Sequence, residues 1–355
     1  MINIVSPINQ LGYGITGLNI VKSLYKEIKV SLICLGQPQI TNEADANIIQ
    51  ECIKNNQFLD FKAPCIKIWH QHDMTQFAGN GLRIGFPIFE LEQFSDLEKH
   101  HLSSLDKIFV CSNWAKKVIL NNISIDEYNV CVIPLGVDID IFKPSNMINC
   151  GTTRFFNCGK WEVRKGHDIL IDAFNEAFSE DDDVELWMMC DNPFYTKEES
   201  EAWKNKYVNS RLGHKITIIP RKTTQQEVYN IMCKTHCGIF PSRAEGWNLE
   251  LLEMMACGKP VITTNYSAHT EFCNIENSYL IPINEYELAY DGKWFHKQGT
   301  WARLGENQKS SIIEHMKNIH SMRQNNTLNI NTKGIQTAQQ FTWNNSAKQI
   351  IKNLF

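Results

Sequence analysis

The chain has 355 residues, which is enough for two domains, since folded domains commonly contain about 100–200 residues. Hydrophobic residues make up 43% of the sequence and charged residues 21%, a balance that excludes a disordered, collagen-like or coiled-coil protein. The 35 lysines and arginines and 39 aspartates and glutamates give a formal net charge of −4. Because affinity for a phosphate backbone needs clustered cations, no nucleic-acid partner is expected.

Cysteine usage and the N-terminal sequence both favour an intracellular protein. The 12 cysteines are spread over the whole chain, and many lie in apolar runs, which predicts buried thiols in a reducing compartment. The tightest Cys/His group, Cys233–Cys237, lacks the second ligand pair of a zinc site. Neither a signal peptide nor a run of ~18 apolar residues is recognisable, so a cytoplasmic location is expected.

Short apolar runs alternate with longer amphipathic segments, the pattern of βαβ units and parallel sheets. In the first half, strands are predicted at Ile2–Val5, Val30–Leu35, Ile66–Trp69, Ile108–Cys111 and Val130–Pro134, with helices such as Gly17–Lys26 and Trp114–Asn121. In the second half, strands are predicted at Arg154–Cys158, Val184–Cys190, Ile216–Ile219, Gly238–Phe240 and Val261–Thr264. The fold class is therefore α/β, with two Rossmann-like, doubly wound domains and a ligand expected between them at the carboxyl ends of the strands.

A stretch with little periodicity, residues 142–151, predicts the linker between the two domains. We accordingly predict an N-terminal domain over residues 1–145 and a second domain over residues 151–333. The polar segment 325–333 predicts a loop, and the amphipathic segment Ser346–Phe355 predicts a closing helix.

A glycine motif follows the first predicted strand. It reads Gly12-Tyr13-Gly14-Ile15-Thr16-Gly17, a literal G-x-G-x-x-G before a helix. Glycines at such a turn let backbone N–H groups approach an anion near the positive end of the helix. A dinucleotide site also needs an acidic residue after the second strand, where Leu35-Gly36-Gln37 stands instead, so NAD is disfavoured. Gly12, Tyr13 and Gly14 are candidates for a loop facing phosphate or substrate, and a structural turn is the alternative.

Two lysines mark the segment after the strand Arg154–Cys158. Its sequence is Gly159-Lys160-Trp161-Glu162-Val163-Arg164-Lys165-Gly166. From a strand-to-helix loop, Lys160 and Lys165 can both reach a diphosphate and neutralise the charge that builds on a departing nucleotide. The alternative is a solvated basic loop.

Two glutamates mark the segment after the strand Gly238–Phe240. A helix is predicted to begin near Asn248 and to stop at Gly258 before Pro260. Glu245 lies in the loop before this helix and Glu253 lies inside it, so both can face one cleft. Free N–H groups of residues 246–249 (Gly246, Trp247, Asn248 and Leu249) would accept a phosphate, Glu253 can accept hydrogen bonds from ribose hydroxyls, and Glu245 can reach the attached sugar.

In this order the motifs resemble those of the family 4 (group 1) glycosyltransferases, which are retaining enzymes of the GT-B fold. The resemblance rests on Gly-Lys-x4-Lys-Gly, on Glu-x7-Glu followed by Gly-Lys-Pro-Val-Ile, and on the segments 110–114 and 133–138. It implies two domains facing across a cleft, with residues 334–355 forming a C-terminal helix that returns to the first domain. It also implies that no metal or cofactor is held, the nucleotide-sugar being a substrate.

The resemblance implies roles for individual residues. Glu245, His72 and Lys165 are the catalytic candidates, and the donor-binding candidates are Lys160, Lys165, Gly246, Trp247, Asn248, Leu249 and Glu253. Asp73 and Glu90 are weaker candidates for contacts to acceptor or donor. Apart from the resemblance, Arg221 and Lys222 follow the strand Ile216–Ile219 and are candidates for a contact to the base, with a surface turn as the equal alternative. The family often has arginine where Lys160 stands. Lysine would bind a phosphate as a point charge, whereas arginine binds it through two parallel hydrogen bonds. His70 and His72 as a metal pair is disfavoured, because no carboxylate cluster completes the site.

The expected activity is transfer of a hexose-type sugar from a nucleotide diphosphate sugar to an acceptor hydroxyl on a glycan or glycolipid, with retention of configuration. Front-face attack and a covalent intermediate on Glu245 both remain open. The alternatives are an epimerase or phosphorylase on the same scaffold and a non-catalytic protein that binds sugar nucleotides. Lys22, Lys26 and Lys29 form a small basic face, which leaves room for peripheral contact with a membrane.

Overall fold

The computed structural model describes residues 1–146 and 151–354. The chain divides into two compact units, the first containing Met1–Val137 with Gln340–Phe355 and the second containing Asp138–Gln339. Each unit is built on a six-stranded parallel sheet, which confirms the α/β class with two doubly wound domains. In the described ranges, no helix has the length and apolar character needed to cross a membrane.

The strands lie where short apolar runs predict them, with several additions. They are β1 (Ile2–Ser6), β2 (Val30–Cys34), β3 (Cys65–Lys67), β4 (Arg83–Gly85), β5 (Lys107–Val110), β6 (Val130–Val132), β7 (Thr153–Gly159), β8 (Val184–Cys190), β9 (Ile216–Ile218), β10 (Cys237–Phe240), β11 (Val261–Thr264), β12 (Tyr279–Ile281), β13 (Tyr286–Tyr290) and β14 (His296–Ala302).

Helices connect most of these strands. They are α1 (Gly12–Tyr25), α2 (Glu43–Lys54), α3 (Asp96–Ser103), α4 (Asn113–Asn122), α5 (His167–Ala177), α6 (Lys197–Val208), α7 (Gln225–Met232), α8 (Leu249–Ala256), α9 (Glu306–Gln324), α10 (Thr332–Gln340) and α11 (Trp343–Lys352).

In the first unit the strand order is β2-β1-β3-β4-β5-β6, and all neighbours are parallel. β1 is buried along its whole length, including Asn3 and Ser6, as expected for a strand covered on both faces. The chain passes from β1 to β2 on one side and then crosses to β3 on the other. The loops after β1 and β3 therefore leave the same edge of the sheet side by side.

In the second unit the order is β12-β11-β10-β7-β8-β9, again with parallel neighbours. The chain moves outward from β7 through β8 and β9, then returns to the other side of β7 with β10. The direction of winding thus reverses between β7 and β10. Ligands of doubly wound sheets bind at such a reversal, beyond the carboxyl ends of the strands.

Four strands escape prediction. β4 and β12 are three residues long, as are the predicted strands β3, β6 and β9, and the apolar runs around them were not recognised as strands. β13 and β14 form an antiparallel hairpin outside the main sheet, and β14 is polar over its first half. Apolar alternation cannot reveal a hairpin whose faces are largely exposed.

The glycine motif lies on a helix, which corrects the prediction of a loop. α1 begins at Gly12, not at Gly17, and its first turn contains Gly12, Tyr13 and Gly14. A Cβ at Gly14 would lie 2.2 Å from Asn9 Oδ1 and 2.4 Å from Asn9 N. Glycine is required there because the helix packs closely against the turn after β1, and not because of a left-handed backbone.

The division between the units differs from the predicted boundary at residues 145–151. The ring of Phe142 lies 6.3 Å from that of Tyr229, and Ser145 N donates to Cys257 O at 3.1 Å, so this segment belongs to the second unit. Residues 147–150 of the predicted linker lie outside the described residues.

The C-terminal segment was predicted to return to the first domain from residue 334 onward, whereas only its last part does so. α10 stays in the second unit, where Asn331 N donates to Gly258 O at 2.8 Å. α11 packs against α1, and Ser346 Oγ donates to Pro134 O at 2.6 Å. A Cβ at Gly136 would lie 2.1 Å from Trp343 N, so glycine is what lets this helix approach the first unit.

Candidate functional site

Two loops of the second unit meet where the winding of its sheet reverses. One follows β7 and contains residues 160–166, and the other follows β10 and contains residues 241–248. β7 and β10 are paired neighbours, so both loops lie at the same edge. Arg243 N donates to Arg164 O at 2.7 Å and fastens one loop to the other. The predicted donor-binding segments are therefore brought together by the strand order.

A chain of alternating charges crosses between these loops. Lys160 Nζ lies 2.8 Å from Glu162 Oε1, and Glu162 Oε2 lies 2.6 Å from Arg164 Nη2. Arg164 Nη1 then lies 2.8 Å from Glu245 Oε2, and Glu245 Oε1 lies 3.0 Å from Lys165 Nζ. Three cations face two carboxylates, so the chain has an excess of one positive charge. We call these five residues the charge chain.

The carboxylate of Glu245 accepts three hydrogen bonds that no sequence pattern indicates. Its Oε1 accepts from Lys165 Nζ and from Ser242 Oγ at 2.8 Å, and its Oε2 accepts from Arg164. Burial alone would raise the pKa of Glu245, but the Arg164 and Lys165 cations outweigh it and hold the pKa well below its ordinary value. The carboxylate is therefore a stable anion and a weak base.

Lys165 is charged although it is buried. Burial alone would lower its pKa, but the Glu245 and Glu250 carboxylates raise it above the ordinary value for lysine. Lys160 is the more accessible cation, with 38% of its side chain exposed. Its ammonium also lies 5.7 Å from the ring of Phe194. Lys160 is therefore the end of the charge chain at which positive charge is accessible to solvent.

Arg243 fixes the loop after β10 to its surroundings. Its guanidinium makes a bidentate pair with Asp168 of α5, at 2.8 Å for both contacts. A third nitrogen lies 3.1 Å from Glu287 Oε1 of β13, which also accepts from Trp301 Nε1 of β14. The hairpin β13-β14 therefore braces the same loop that carries Glu245.

The N-terminus of α8 has the geometry of an anion site. Asn248 caps the helix in a left-handed conformation (φ 88°), and its Oδ1 accepts from Leu251 N at 3.2 Å. Among the described residues, no acceptor faces the backbone N–H groups of Gly246, Asn248 and Leu249. Unpaired N–H groups at a helix N-terminus attract phosphates.

His269 holds that cap in place. Because Asn248 Oδ1 accepts from Leu251, Asn248 Nδ2 is the donor in its 2.9 Å contact with His269 Nε2. His269 Nδ1 then carries the proton and donates to Thr264 O at 3.1 Å. Burial lowers the pKa of His269 to about 4, so the ring is neutral at physiological pH.

Glu253, a turn into α8, is buried and has no hydrogen-bond or ion-pair partner among the residues that the structure describes. Burial raises its pKa well above the ordinary value, and the charges of Glu250 and Asp138 add to this effect. A buried carboxyl without donors is costly unless a ligand supplies them. By contrast, Trp247 is a core residue whose ring lies 4.9 Å from that of Phe272.

In the first unit, an aromatic group lies where β1 and β3 end. The ring of Tyr13 is 4.6 Å from that of His70, which stacks on His72 at 5.2 Å. Tyr13 Oη donates to Ile88 O at 2.6 Å. Burial raises the pKa of Tyr13 well above its ordinary value, and the Glu90 carboxylate adds to the effect. The candidates Gly12, Tyr13, Gly14, His72 and Glu90 are therefore neighbours.

Two of the weaker candidates lie elsewhere. Asp73 pairs with the buried Lys67, whose Nζ lies 3.2 Å from Asp73 Oδ1 and also donates to Thr75 O at 2.7 Å. Asp73 therefore neutralises a buried cation. Arg221 is exposed on the loop after β9. Within residues 1–146 and 151–354, no three His, Cys, Asp or Glu side chains are grouped so that they could hold a metal ion.

Comparison with known proteins agrees with this arrangement. Residues 152–291 match the family model described as glycosyl transferases group 1. The match covers less than half of the chain, so it shows a similarity of the second unit to the group 1 glycosyltransferases. An uncharacterized glycosyltransferase from Methanocaldococcus jannaschii is 29% identical over 224 residues, a match that covers 58% of this chain and 58% of the relative.

Solved structures show the same fold at low identity. Sucrose-phosphate synthase from Thermosynechococcus elongatus has a TM-score of 0.73 at 14% identity, covering 99% of this chain and 97% of that chain. HepE from Anabaena in complex with UDP and glucose has a TM-score of 0.69 at 14% identity, with 99% and 98% covered. These similarities show that the chain has the GT-B fold.

Sequence reasoning missed the residues that hold this site together. Glu162 and Arg164 lie between the two lysines of the motif. The alternation of positive and negative charge from Lys160 to Arg164 was the only sign in the sequence that these side chains could form ion pairs. Arg243, two residues before Glu245, pairs with a helix and a hairpin remote in sequence, and no spacing in the chain indicates those partners.

We predict that Glu245→Gln lowers the free energy of unfolding by about 3–5 kcal/mol at pH 7, because Arg164 and Lys165 would be left buried without their shared anion. The depressed pKa means that Glu245 stabilises the fold above the ordinary carboxyl range, about pH 4.3, and that this stabilisation is lost as the pH falls below it. Urea denaturation at pH 7 and at about pH 3.5 should show a smaller difference from the natural protein at the lower pH.

The matched control is Glu314→Gln on the exposed face of α9. It should change stability by less than about 0.5 kcal/mol at either pH. A Glu245→Gln protein as stable as this control would contradict the buried charge chain.

Proposed function

We propose that the protein is a retaining glycosyltransferase that moves a hexose-type sugar from a nucleotide diphosphate sugar to an acceptor hydroxyl, without a metal ion. The observation that carries the proposal is the charge chain, with its excess of one positive charge, beside the open N–H groups of α8. Both features favour a bound dianion. The similarity of residues 152–291 to the group 1 glycosyltransferases supports the same reaction class.

The diphosphate is proposed to bind the N–H groups of Gly246, Asn248 and Leu249 and the ammoniums of Lys160 and Lys165. Lys165 already faces one carboxylate, so it can share its charge with a phosphate oxygen without becoming an unpaired cation. Negative charge that develops on the leaving phosphate would be stabilised by cations that are already oriented. This stabilisation is strong because the site is largely shielded from water. Trp247 would contribute by packing, behind the backbone that binds the anion.

Glu253 is proposed to accept hydrogen bonds from the ribose hydroxyls. Two hydroxyl donors would supply the partners that this buried carboxyl lacks within the described chain. The ribose hydroxyls are neutral hydrogen-bond donors. They can therefore bind a carboxyl whose charged neighbours, Glu250 and Asp138, are acidic and supply no cation.

Glu245 is proposed to orient the sugar. A carboxylate has about four lone-pair positions, and three of them are taken by Lys165, Ser242 and Arg164. One position remains for a sugar hydroxyl. The low pKa and these three donors make the carboxylate a poor nucleophile, so we favour front-face attack over a covalent intermediate on Glu245. In that mechanism the leaving phosphate oxygen takes the acceptor proton.

The acceptor is proposed to bind the first unit at the group formed by Gly12, Tyr13, Gly14, His72 and Glu90. His72 is exposed there and stacks on His70, so its ring nitrogens are available to a hydroxyl. A glycan or glycolipid would offer such hydroxyls. Peripheral contact with the inner face of a membrane, at a cytoplasmic location, remains part of this proposal, although Lys22 of the basic face is paired with Asp45 at 2.7 Å.

The proposal is tested by incubating the protein with UDP-, GDP- and ADP-sugars and a panel of glycan acceptors. We expect a glycoside that keeps the anomeric configuration of the donor. Lys165→Ala should lower kcat and kcat/KM together by on the order of 10²-fold, because the lost charge acts mainly in the transition state.

Lys317→Ala on the exposed face of α9 is the matched control and should leave both constants unchanged. Full turnover in a folded Lys165→Ala protein would remove this lysine from the reaction. Product formation that depends on inorganic phosphate instead of a nucleotide would favour the phosphorylase alternative.

Glu253→Gln should weaken binding of the nucleoside diphosphate by on the order of tenfold, since an amide accepts ribose hydrogen bonds less well than a carboxylate. Because the pKa of Glu253 is raised, affinity of the natural protein should increase with pH as this carboxyl ionises, and the variant should lack that component. Calorimetry between about pH 5 and pH 8 measures both effects. Equal affinity and equal pH dependence of the two proteins would exclude Glu253 from the ribose.

A further inference from the structure

A cavity of about 540 Å³ lies in the first unit, where α3, α4 and the loop after β4 meet. We call it the α3-α4 cavity. Its volume is within the range of about 300–1,000 Å³ that is common for small-molecule sites. On α4 it is lined by Trp114, Lys117 and Asn121, whose spacing of three and four residues places them on one face of the helix. Lys99 of α3 and residues 92–94 complete this part of the lining.

Hydrogen bonds hold the loop of this cavity against both helices. At the end of α4, Asn122 Nδ2 donates to Glu92 O at 2.8 Å, and Asn122 Oδ1 accepts from Phe94 N at 3.0 Å. At the start of α3, Ser95 and Glu98 form a capping box, which fixes the first turn of that helix. The loop is therefore fastened on two sides, and the cavity belongs to the folded structure of this unit.

The indole of Trp114 is the rigid apolar part of the lining. Its ring is half-buried and lies 5.9 Å from that of the buried Phe89, which in turn lies 4.9 Å from the ring of Phe94. An aromatic ring held in this way presents a large apolar surface, against which the C–H face of a pyranose can pack. The exposed amide of Asn121 can donate to and accept from hydroxyl groups beside it. An aromatic surface next to an amide suits a saccharide.

The charges of the cavity indicate what kind of saccharide it suits. Lys99 and Lys117 have no ion-pair partner among the described residues, and Glu92 supplies the one carboxylate in the lining. The lining thus has an excess of one positive charge. A neutral sugar would leave that charge unmatched, and a small inorganic anion would leave the indole and the amide without contacts. A sugar that carries a negative group matches both features, because lysine ammoniums make charge-assisted hydrogen bonds to carboxylate and phosphate oxygens.

Two connections join the cavity to the proposed acceptor group. Glu90, a member of that group, lies on the same loop as residues 92–94 of the lining. Gln71, which precedes His72, donates through Nε2 to Glu98 Oε1 of α3 at 2.8 Å. The segment that carries His72 is therefore tied to the helix that lines the cavity. An acceptor longer than one sugar can occupy both places.

We propose that the α3-α4 cavity is an acceptor subsite for a sugar unit that bears a carboxylate or phosphate group. The ring of this unit packs on Trp114, its anionic group binds the ammoniums of Lys99 and Lys117, and its hydroxyls bind Glu92 and Asn121. The reacting hydroxyl belongs to a neighbouring unit of the same acceptor, beside His72. The acceptor is thus an acidic oligosaccharide or an acidic glycolipid head group. The role as an acceptor subsite rests on the proposed sugar transfer, whereas binding of the acidic sugar needs no donor.

Calorimetric titration of the full-length protein without donor tests the proposal. The probes are three disaccharides: one of two glucoses, one with a glucuronic acid unit in place of a glucose, and one with a phosphorylated glucose. At least one acidic disaccharide should bind about tenfold tighter than the neutral one, and this preference should shrink at high salt. The tighter of the two identifies the anionic group. Acidic disaccharides that bind no tighter than the neutral one would overturn the proposal.

Variants locate the binding. Replacing both Lys99 and Lys117 by alanine should abolish the preference for the acidic disaccharide and leave binding of the neutral one unchanged. Lys116→Ala is the matched control on α4, because this lysine pairs with Glu127 at 3.2 Å outside the cavity, and it should keep the preference. Trp114→Ala should weaken binding of all three disaccharides alike. A preference that persists in the double lysine variant would overturn the proposal, even if the tryptophan variant does not fold. Inorganic phosphate that binds as tightly as the acidic disaccharide would also overturn it.

A transfer assay separates this proposal from the proposed function. With an acidic acceptor, the double lysine variant should raise KM and leave kcat unchanged, because these lysines hold a sugar unit remote from the reacting bond. A protein that binds the acidic disaccharide through the two lysines but transfers no sugar would contradict the proposed function alone. A protein that transfers sugar with equal KM for acidic and neutral acceptors would contradict the subsite alone.

Discussion

The buried pairing of Glu245 with Arg164 and Lys165 is the interaction on which the rest of the site depends. It joins the loop after β7 to the loop after β10 at the place where the sheet reverses its winding. Buried ions are stable only when each has partners of opposite charge and good hydrogen bonds. Glu162 and Lys160 extend the charge chain to the surface, so the chain ends in a lysine that solvent can reach.

The supports of this pairing lie in parts of the chain that have no direct place in the chemistry. Arg243 ties the loop to α5 and to the hairpin β13-β14, and His269 holds Asn248 at the start of α8. Both supports are made entirely by side chains of the second unit. If the proposed donor binds here, it meets charges whose positions are already fixed by the fold, which is the condition under which charges stabilise a transition state most effectively.

Much of the fold was predictable because the strands of doubly wound domains are short apolar runs that recur at regular intervals between amphipathic helices. The helix from Asn248 to Gly258 was predicted nearly to the residue, since Asn caps its start and Gly258, with φ 74°, ends it. The start of α1 was predicted wrongly because G-x-G-x-x-G also arises when a helix must pack closely on a neighbouring turn, as α1 does at Gly14 against Asn9. The site lysines and glutamates could be named from their motifs, but the partners that set their charge states could not. Asp168, Glu287 and His269 are far from the motifs in sequence, and only the folded chain brings them there.

The account's central claim is that the charge chain and the start of α8 bind a diphosphate. Calorimetric titration with a nucleoside, its monophosphate and its diphosphate, for the base that the donor panel identifies, measures this most directly. Each strong charge-assisted contact is worth at least about 1.4 kcal/mol, or tenfold in affinity, so the diphosphate should bind about 10²-fold tighter than the nucleoside. The difference should shrink at high salt. A nucleoside that binds as tightly as its diphosphate would contradict the account.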